Sequence, residues 1–536
     1  MKKWGFISIF IISIICCVWF IQCKCTNGGG AAKQNVTVLP QNVLDVAPLT
    51  QPQFSTWFAS GAVAENGIVT PANSLTFTPH NNSDFYKWSY QMLLWLTSPT
   101  KEMGTVMESG TFYTVSPEDD KGTRELIPHT VGSVLKATTH LKTVKRMHKK
   151  LGAANNKIDS EEIQATGDGL MSKNGSLIYY ITMVNDVYVE FLKACTTRND
   201  SFLPFPTTEA GLDSIRKINS QKNMPNDSIA LAMELKTSWV TASSLGKDSI
   251  NYVIVSAEIP TYDTTNNKKW VENGATVVRL ALAGMHIVGS AKGHAEMIWA
   301  TFEQVSNAPN VTYPYLDSSK AIKWVSQDAG HNWLLSNNGS DPNPNISHIR
   351  NVGNTLKADS TGDSLLTISP SNSLRINPFG CFPFNIIPNP QDNPAASNSR
   401  VIALNNSVNK MLIGNDVRKN YMLIGATWTG KGKGPNGSSF IAMSDTTKGG
   451  DSSLAVGTSQ LANSTMETYV MPINYQNPEN SFSNNMSCFA CHSEFTTNTP
   501  TFFPMDISHV FMDLMHYQQQ ASSIEFKKTI KHKSNK

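Results

Sequence analysis

Charge is what this sequence has least of. Charged residues make up 16% of its 536 positions, where about 25% is usual for a soluble protein. The 44 Lys and Arg nearly cancel the 41 Asp and Glu, leaving +3, which argues against the broad basic face of a nucleic-acid binder. Asn, Ser and Thr take the place of the missing charge, a composition suited to a loop-rich, strand-rich exported protein. Cysteine is also sparse. Of eight, Cys16, Cys17, Cys23 and Cys25 crowd into the first segment, Cys195 and Cys381 stand alone, and Cys488 and Cys491 form a pair. That distribution excludes a disulfide framework. Cys195 and Cys381 read as buried thiols or, in an oxidising compartment, as one bridge. Beyond residue 25 no apolar run approaches the roughly 18 residues of a membrane span.

Familiar catalytic signatures are missing too. There is no H-E-x-x-H, no G-x-S-x-G and no EF-hand loop. Two near-matches fail on chemistry. Gly425 to Gly432 (GATWTGKG) has the outline of a phosphate-binding loop, but Gly432 stands where a Mg²⁺-binding hydroxyl is needed and no helix can open on the residues that follow. Ser98 and Lys101 have the S-x-x-K spacing without its companion motifs, so they read as a loop. His286 and His331 read as structural histidines.

What is present begins at the N-terminus. Lys2 and Lys3 precede an apolar run from Trp4 to Phe20 that ends at Cys23, the pattern of an export signal. Residues 1–25 are compatible with a lipoprotein signal cleaved before Cys23, an ordinary signal peptide or an uncleaved anchor; Gln22 departs from the small residue that usually precedes a lipidated cysteine. The protein is expected on the periplasmic or cell-envelope side of the membrane. Residues 26–55 read as a flexible lead, 56–335 as a mixed body, 336–400 as a loop-rich connection, 401–480 as a second mixed segment, 481–520 as the segment carrying the chemistry, and 521–536 as a basic tail.

Within the body, 83–97 has the spacing of a core helix, with Phe85, Trp88, Met92, Trp95 and Leu96 on one face and Ser83 or Asp84 as its cap. The stretch 138–162 is basic, then acidic, and reads as a solvated helix. Asn174-Gly175 signals a hairpin, followed by a strand and then a helix. Four strands follow, over 230–240, 251–259, 275–288 and 297–305. In the first of them Leu231, Met233, Leu235 and Trp239 alternate with Glu234, Lys236 and Ser238, the pattern of a half-buried strand. Short connections make the sheet antiparallel, and the expected class is β-rich α+β with a sandwich-like body, scattered helices and a short C-terminal segment.

That segment holds Cys488-Phe489-Ala490-Cys491-His492. C-x-x-C-H is the attachment sequence of a c-type haem, and the composition yields such a pattern by chance roughly 0.003 times. Two thiols one helical turn apart reach the two vinyl groups of one porphyrin edge, and the adjacent histidine ligates the iron. A redox dithiol or half a zinc site would leave the same cysteines, but no βαβ pattern precedes the pair and zinc lacks partners. The motif comes so late that a stand-alone class I cytochrome domain is not expected; residues 493–520 should fold over the haem instead. Met505, His509, Met512, Met515 and His516 are candidates for the second axial position, and His509, which Ser508 or Asp506 can present at the start of a short helix, is the preferred one.

The stretches YKWSYQMLLWLTSPT (86–100), LMSKNGSLIYYITMVNDVYVEFL (170–192), MELKTSWV (233–240), LALAGMHIVG (280–289), MIWATFEQVSNAP (297–309) and LANSTMETY (461–469), together with SCFACH, resemble a poorly characterised family of exported bacterial cytochrome c family proteins. The resemblance spans most of the chain, and Ser508 to Phe511 also resembles that family's tail. It implies one covalent haem at Cys488 and Cys491, ligation by His492, and electron transfer with redox partner proteins of the cell envelope. A haem-dependent oxidoreductase acting on an organic substrate is the alternative. The sequence names neither the electron donor nor the oligomeric state.

Overall fold

β-branched and aromatic residues at period two build the central strands, because such side chains pack well on a pleated surface. The structure, a computed structural model, describes residues 34–102, 104–117, 124–139, 167–199, 203–221, 225–337, 344–359, 367–376, 378–380, 394–430, 432, 434–435, 455–458, 461–471, 488–492, 504–511 and 513–515. Its strands are β1 (Phe112–Val115), β2 (Leu126–Pro128), β3 (Leu135–Lys136), β4 (Tyr179–Asn185), β5 (Met233–Thr241), β6 (Ile254–Asp263), β7 (Lys269–Ala291), β8 (His294–Gln304), β9 (Tyr313–Leu316), β10 (Ile322–Val325), β11 (Ile349–Val352), β12 (Thr355–Ala358), β13 (Tyr421–Thr429) and β14 (Ala455–Gly457). Its α-helices are α1 (Gln51–Ser55), α2 (Asn82–Leu96), α3 (Asp186–Arg198), α4 (Glu209–Ile218), α5 (Ala242–Leu245), α6 (Pro394–Met411), α7 (Cys488–Cys491) and α8 (Pro504–Ile507).

Hydrogen bonds join twelve strands into one sheet in the order β14-β13-β8-β7-β5-β4-β1-β2, with β3, β6, β11 and β12 branching from it; β9 and β10 form a separate ribbon. Pairing is antiparallel apart from β3 with β6. The organiser is β7. One of its edges pairs first with β6 and then with β8, and the other takes β12 and then β5. The four strands expected between residues 230 and 305 are thus β5 to β8, and the class is the expected β-rich α+β.

One expectation fails at β5. The alternation predicts a half-buried strand, yet on its polar face Glu234 is 8% exposed and Ser238 is fully buried, Lys236 alone being partly exposed. The second face is covered by distant chain: Ser238 Oγ lies 2.6 Å from Thr465 Oγ1, and Ser508 Oγ donates to Glu234 Oε2 at 2.6 Å. Polar residues on that face are therefore partnered inside the protein, as burial requires.

The helix expected at 83–97 is α2, but its cap is Asn81. The Asn81 side chain accepts from the Ser83 amide at 2.9 Å, while Asp84 reaches back to the Asn81 amide, forming a capping box. The aromatic face is core: Phe85 stacks on Trp428 of β13 at 3.8 Å, and Trp88 Nε1 donates to Ser74 Oγ at 3.0 Å. The supposed flexible lead is anchored from Gln34 onward. The Thr37 and Leu44 amides donate to the Val305 and Leu316 carbonyls, both at 2.8 Å, and α1 buries Phe54 behind a Thr50/Gln53 capping box. The 336–400 stretch supplies the β11–β12 hairpin on β7 and the start of α6. Residues 461–471 are held to β8 through Glu303, which is fully buried with Arg375 at 2.6 Å and also accepts from the Ser464 amide at 2.8 Å.

The phosphate-loop outline dissolves because Gly425 to Thr429 lie inside β13. Ser98 Oγ donates to the Leu94 carbonyl at 2.7 Å, ending α2. Most of the basic and acidic stretch at 138–162 lies outside the described residues, as do 1–33 and Cys381. Among the described residues no helix is long and apolar enough to cross a membrane.

Candidate functional site

The α7 turn places Cys488 and Cys491 three residues apart, which on a helix makes them neighbours on one face. The His492 amide closes the turn on the Cys488 carbonyl at 3.0 Å. Between the cysteines Phe489 is fully buried and fixes the turn to an apolar cluster that includes Ile507, Val510, Phe511 and Leu514. Cys488 is half-buried. The Cys491 side chain lies outside the described residues.

His492 is held on two sides. Its Nδ1 donates to the Ile507 carbonyl at 2.9 Å. Because a carbonyl can only accept, this bond puts the proton on Nδ1 and leaves the Nε2 lone pair to act as a base or ligand. The ring packs on the indole of Trp299 in β8, with centroids 4.2 Å apart.

The second imidazole arrives from seventeen residues further along. His509 is 7% exposed and lies face to face with His492, centroids 4.7 Å apart and planes 19° from parallel. Two short helical pieces deliver it: α8, which ends where the Ser508 amide donates to the Pro504 carbonyl at 2.9 Å, and the helical turns at 509–511 and 513–515. Ser508 caps the latter, its Oγ accepting from the Phe511 amide at 3.0 Å. The Asp506 side chain lies outside the described residues.

The sequence candidates therefore separate. Cys488, His492 and His509 are brought together. Met515 is buried and its sulfur accepts from Thr196 Oγ1 at 3.4 Å, so it fills the core against α3. Met512, His516 and the Met505 side chain lie outside the described residues. His286 pairs with Glu467 at 2.9 Å, and His331 Nδ1 meets the Asn337 carbonyl at 3.1 Å, both structural arrangements.

Three contributors escaped the sequence reading: Trp299, Tyr188 of α3 and Glu234 of β5. Tyr188 OH lies 2.7 Å from Ser508 Oγ, and Glu234 accepts from that same hydroxyl. Alternation made Glu234 look like a solvent-facing residue, and no local pattern marks a carboxylate whose partner is 274 residues away. The neighbouring segment is also tied by Arg124, which lies 3.6 Å from Asp513 and is 2% exposed. Where α3 begins, burial and, secondarily, the charge of Asp227 push the Asp186 carboxyl up to about 8.

The donor set suits a c-type haem: two thiol positions on one helical turn, an imidazole immediately after them with Nε2 left free of a proton by its Nδ1 bond, a second imidazole in contact, and an apolar surround. Among the described residues no cluster of three or more His, Cys, Asp or Glu is arranged to hold a bare metal ion. Compared with known protein families, characterised proteins and solved structures, the chain has no match.

Proposed function

We propose that the protein is an exported c-type haem protein that transfers electrons in the cell envelope. The observation that carries this is the convergence of His492 and His509 beside the C-x-x-C turn, from two segments that the sequence separates. The Cys488 and Cys491 thiols would hold the haem by thioether bonds to its two vinyl groups. Bound haem supplies one-electron exchange between ferric and ferrous iron.

The chain's own residues supply the rest. His492 offers Nε2, and its bond to the Ile507 carbonyl fixes the tautomer and steadies the ring. His509 offers the second nitrogen. The two rings lie face to face, and ligation by both would require them to turn towards one iron. Trp299 and Phe489 exclude water from the His492 side, and a low-polarity surround of this kind is one of the means by which a protein sets haem potential. The export signal, the candidate lipidated Cys23 and haem attachment outside the cytoplasm agree on one compartment, where redox proteins of the envelope are the partners.

The visible spectrum and carbon monoxide binding test the carrier reading against an enzyme with an open distal site. Wild type should be low-spin in both oxidation states and bind carbon monoxide slowly or not at all, and His509→Ala should turn it high-spin. Rapid carbon monoxide entry into wild type, unchanged by His509→Ala, would remove His509 as ligand and favour a peroxidase- or oxygenase-like oxidoreductase.

A further inference from the structure

Ser508 sits between the two imidazoles' supports and is saturated. A serine hydroxyl has one proton and two lone pairs. Its proton goes to Glu234 Oε2 at 2.6 Å. Its lone pairs face the Tyr188 hydroxyl at 2.7 Å, which must then be the donor, and the Phe511 amide at 3.0 Å. Ser508 is 1% exposed, Tyr188 fully buried and Glu234 8% exposed, so no bulk water competes for these bonds.

Both anchor residues belong to rigid parts of the body. Glu234 lies in β5 between Val184 of β4 and Val288 of β7. Tyr188 lies in the first turn of α3, whose cap, Asn185, accepts from the Tyr188 amide at 3.0 Å and from the Met233 amide at 2.9 Å. The β4–α3 corner and β5 are thereby one framework, and Ser508 is where the C-terminal segment grips it.

We infer that the Tyr188–Ser508–Glu234 latch is a positioning device for both axial histidines. The residue before Ser508 supplies the carbonyl that orients His492, and the residue after it is His509. A single hydroxyl therefore fixes the backbone from which one imidazole is steered and the other projects. The Ser508 hydroxyl meets the Glu234 carboxyl at 2.6 Å where water is excluded, so losing this bond leaves a buried polar group unpaired by Ser508. The inference rests on the haem reading above and adds to it what keeps the sixth position closed.

The test uses the full-length holoprotein and compares wild type with Ser508→Ala, Ser508→Thr, Tyr188→Phe and Glu234→Gln. Covalently held haem and far-ultraviolet circular dichroism report attachment and folding; spin state and the carbon monoxide association rate report the latch. In Ser508→Ala the haem should stay attached, a high-spin fraction should appear and carbon monoxide should enter about tenfold faster, the factor that losing one buried hydrogen bond implies. Ser508→Thr, which keeps the hydroxyl, should restore the wild-type spectrum. If Ser508→Ala does not fold, Tyr188→Phe and Glu234→Gln carry the test, each weakening one arm and each expected to raise the carbon monoxide rate. Folded, haem-bearing variants that keep the wild-type spectrum and rate would overturn the latch while leaving the haem reading intact. Wild type without covalent haem would overturn the haem reading and the latch with it.

Discussion

At the scale of single residues, burial decides what polar groups do here. Asp186 opens α3, where a helix N-terminus favours a negative charge, yet desolvation first and the charge of Asp227 second raise its carboxyl to about 8. The native state therefore holds a proton that the unfolded chain, with an ordinary carboxyl near 3.8, releases. Between those values the folded form binds more protons, so this residue's contribution makes stability fall as pH rises through the window and level off above its upper end. Asp186→Asn should flatten that slope. Urea midpoints of wild type and variant at about pH 5 and about pH 8 measure it, and identical slopes for the two proteins would refute the assignment. Cys488, Cys491 and His492 stand out in the sequence because the C-x-x-C-H pattern proposed for haem attachment is local. His509 stands in the sequence only as one of several candidates, since its contact with His492 depends on where the chain returns. Glu234 was misread: period two reports that a face is polar, and says nothing of what covers it.

At the scale of elements, the apolar pattern carried most of the information. β5 to β8 and α2 were readable from period and length, because their buried faces follow from side-chain geometry alone. The boundaries moved where polar chemistry intervened, as at Asn81, which caps α2 before the residues first considered. The packing of α2 on β13 rests on the Phe85–Trp428 stack, in which Trp428 is fully buried. Trp428→Ala should cost about 3–5 kcal/mol, the usual penalty for emptying an aromatic core site. Chemical denaturation checks this; a loss under about 1 kcal/mol would mean that the site collapses and that α2 is held by other contacts. The two short pieces around the cysteine turn and His509 follow a different logic. Neither α7 nor α8 exceeds four residues, and isolated helices that short are not stable in water. Their order comes from the cluster around Phe489 and from the Ser508 bonds, so the body specifies the site.

At the scale of the whole molecule, one large sheet acts as the scaffold and the C-terminal segment as the graft. β8 contributes Trp299 to the wall of the site, β5 contributes Glu234, and α3 contributes Tyr188. The described residues from Gln34 onward form one unit rather than a string of separate modules. The C-x-x-C turn is thus packed against the body of this unit, through Phe489 and Trp299. The sequence could not show this, because sheet order and the return of residues 461–471 and 504–515 onto the second face of β5 are long-range facts. The most direct test of the account is the intact mass of the full-length protein, produced with a c-type maturation system and denatured in acid and organic solvent. The account predicts a mass increased by one haem, a chromophore that stays with the polypeptide, and loss of both in Cys488→Ser plus Cys491→Ser. An unmodified polypeptide with an extractable chromophore, or a double variant that still carries covalent haem, would contradict it.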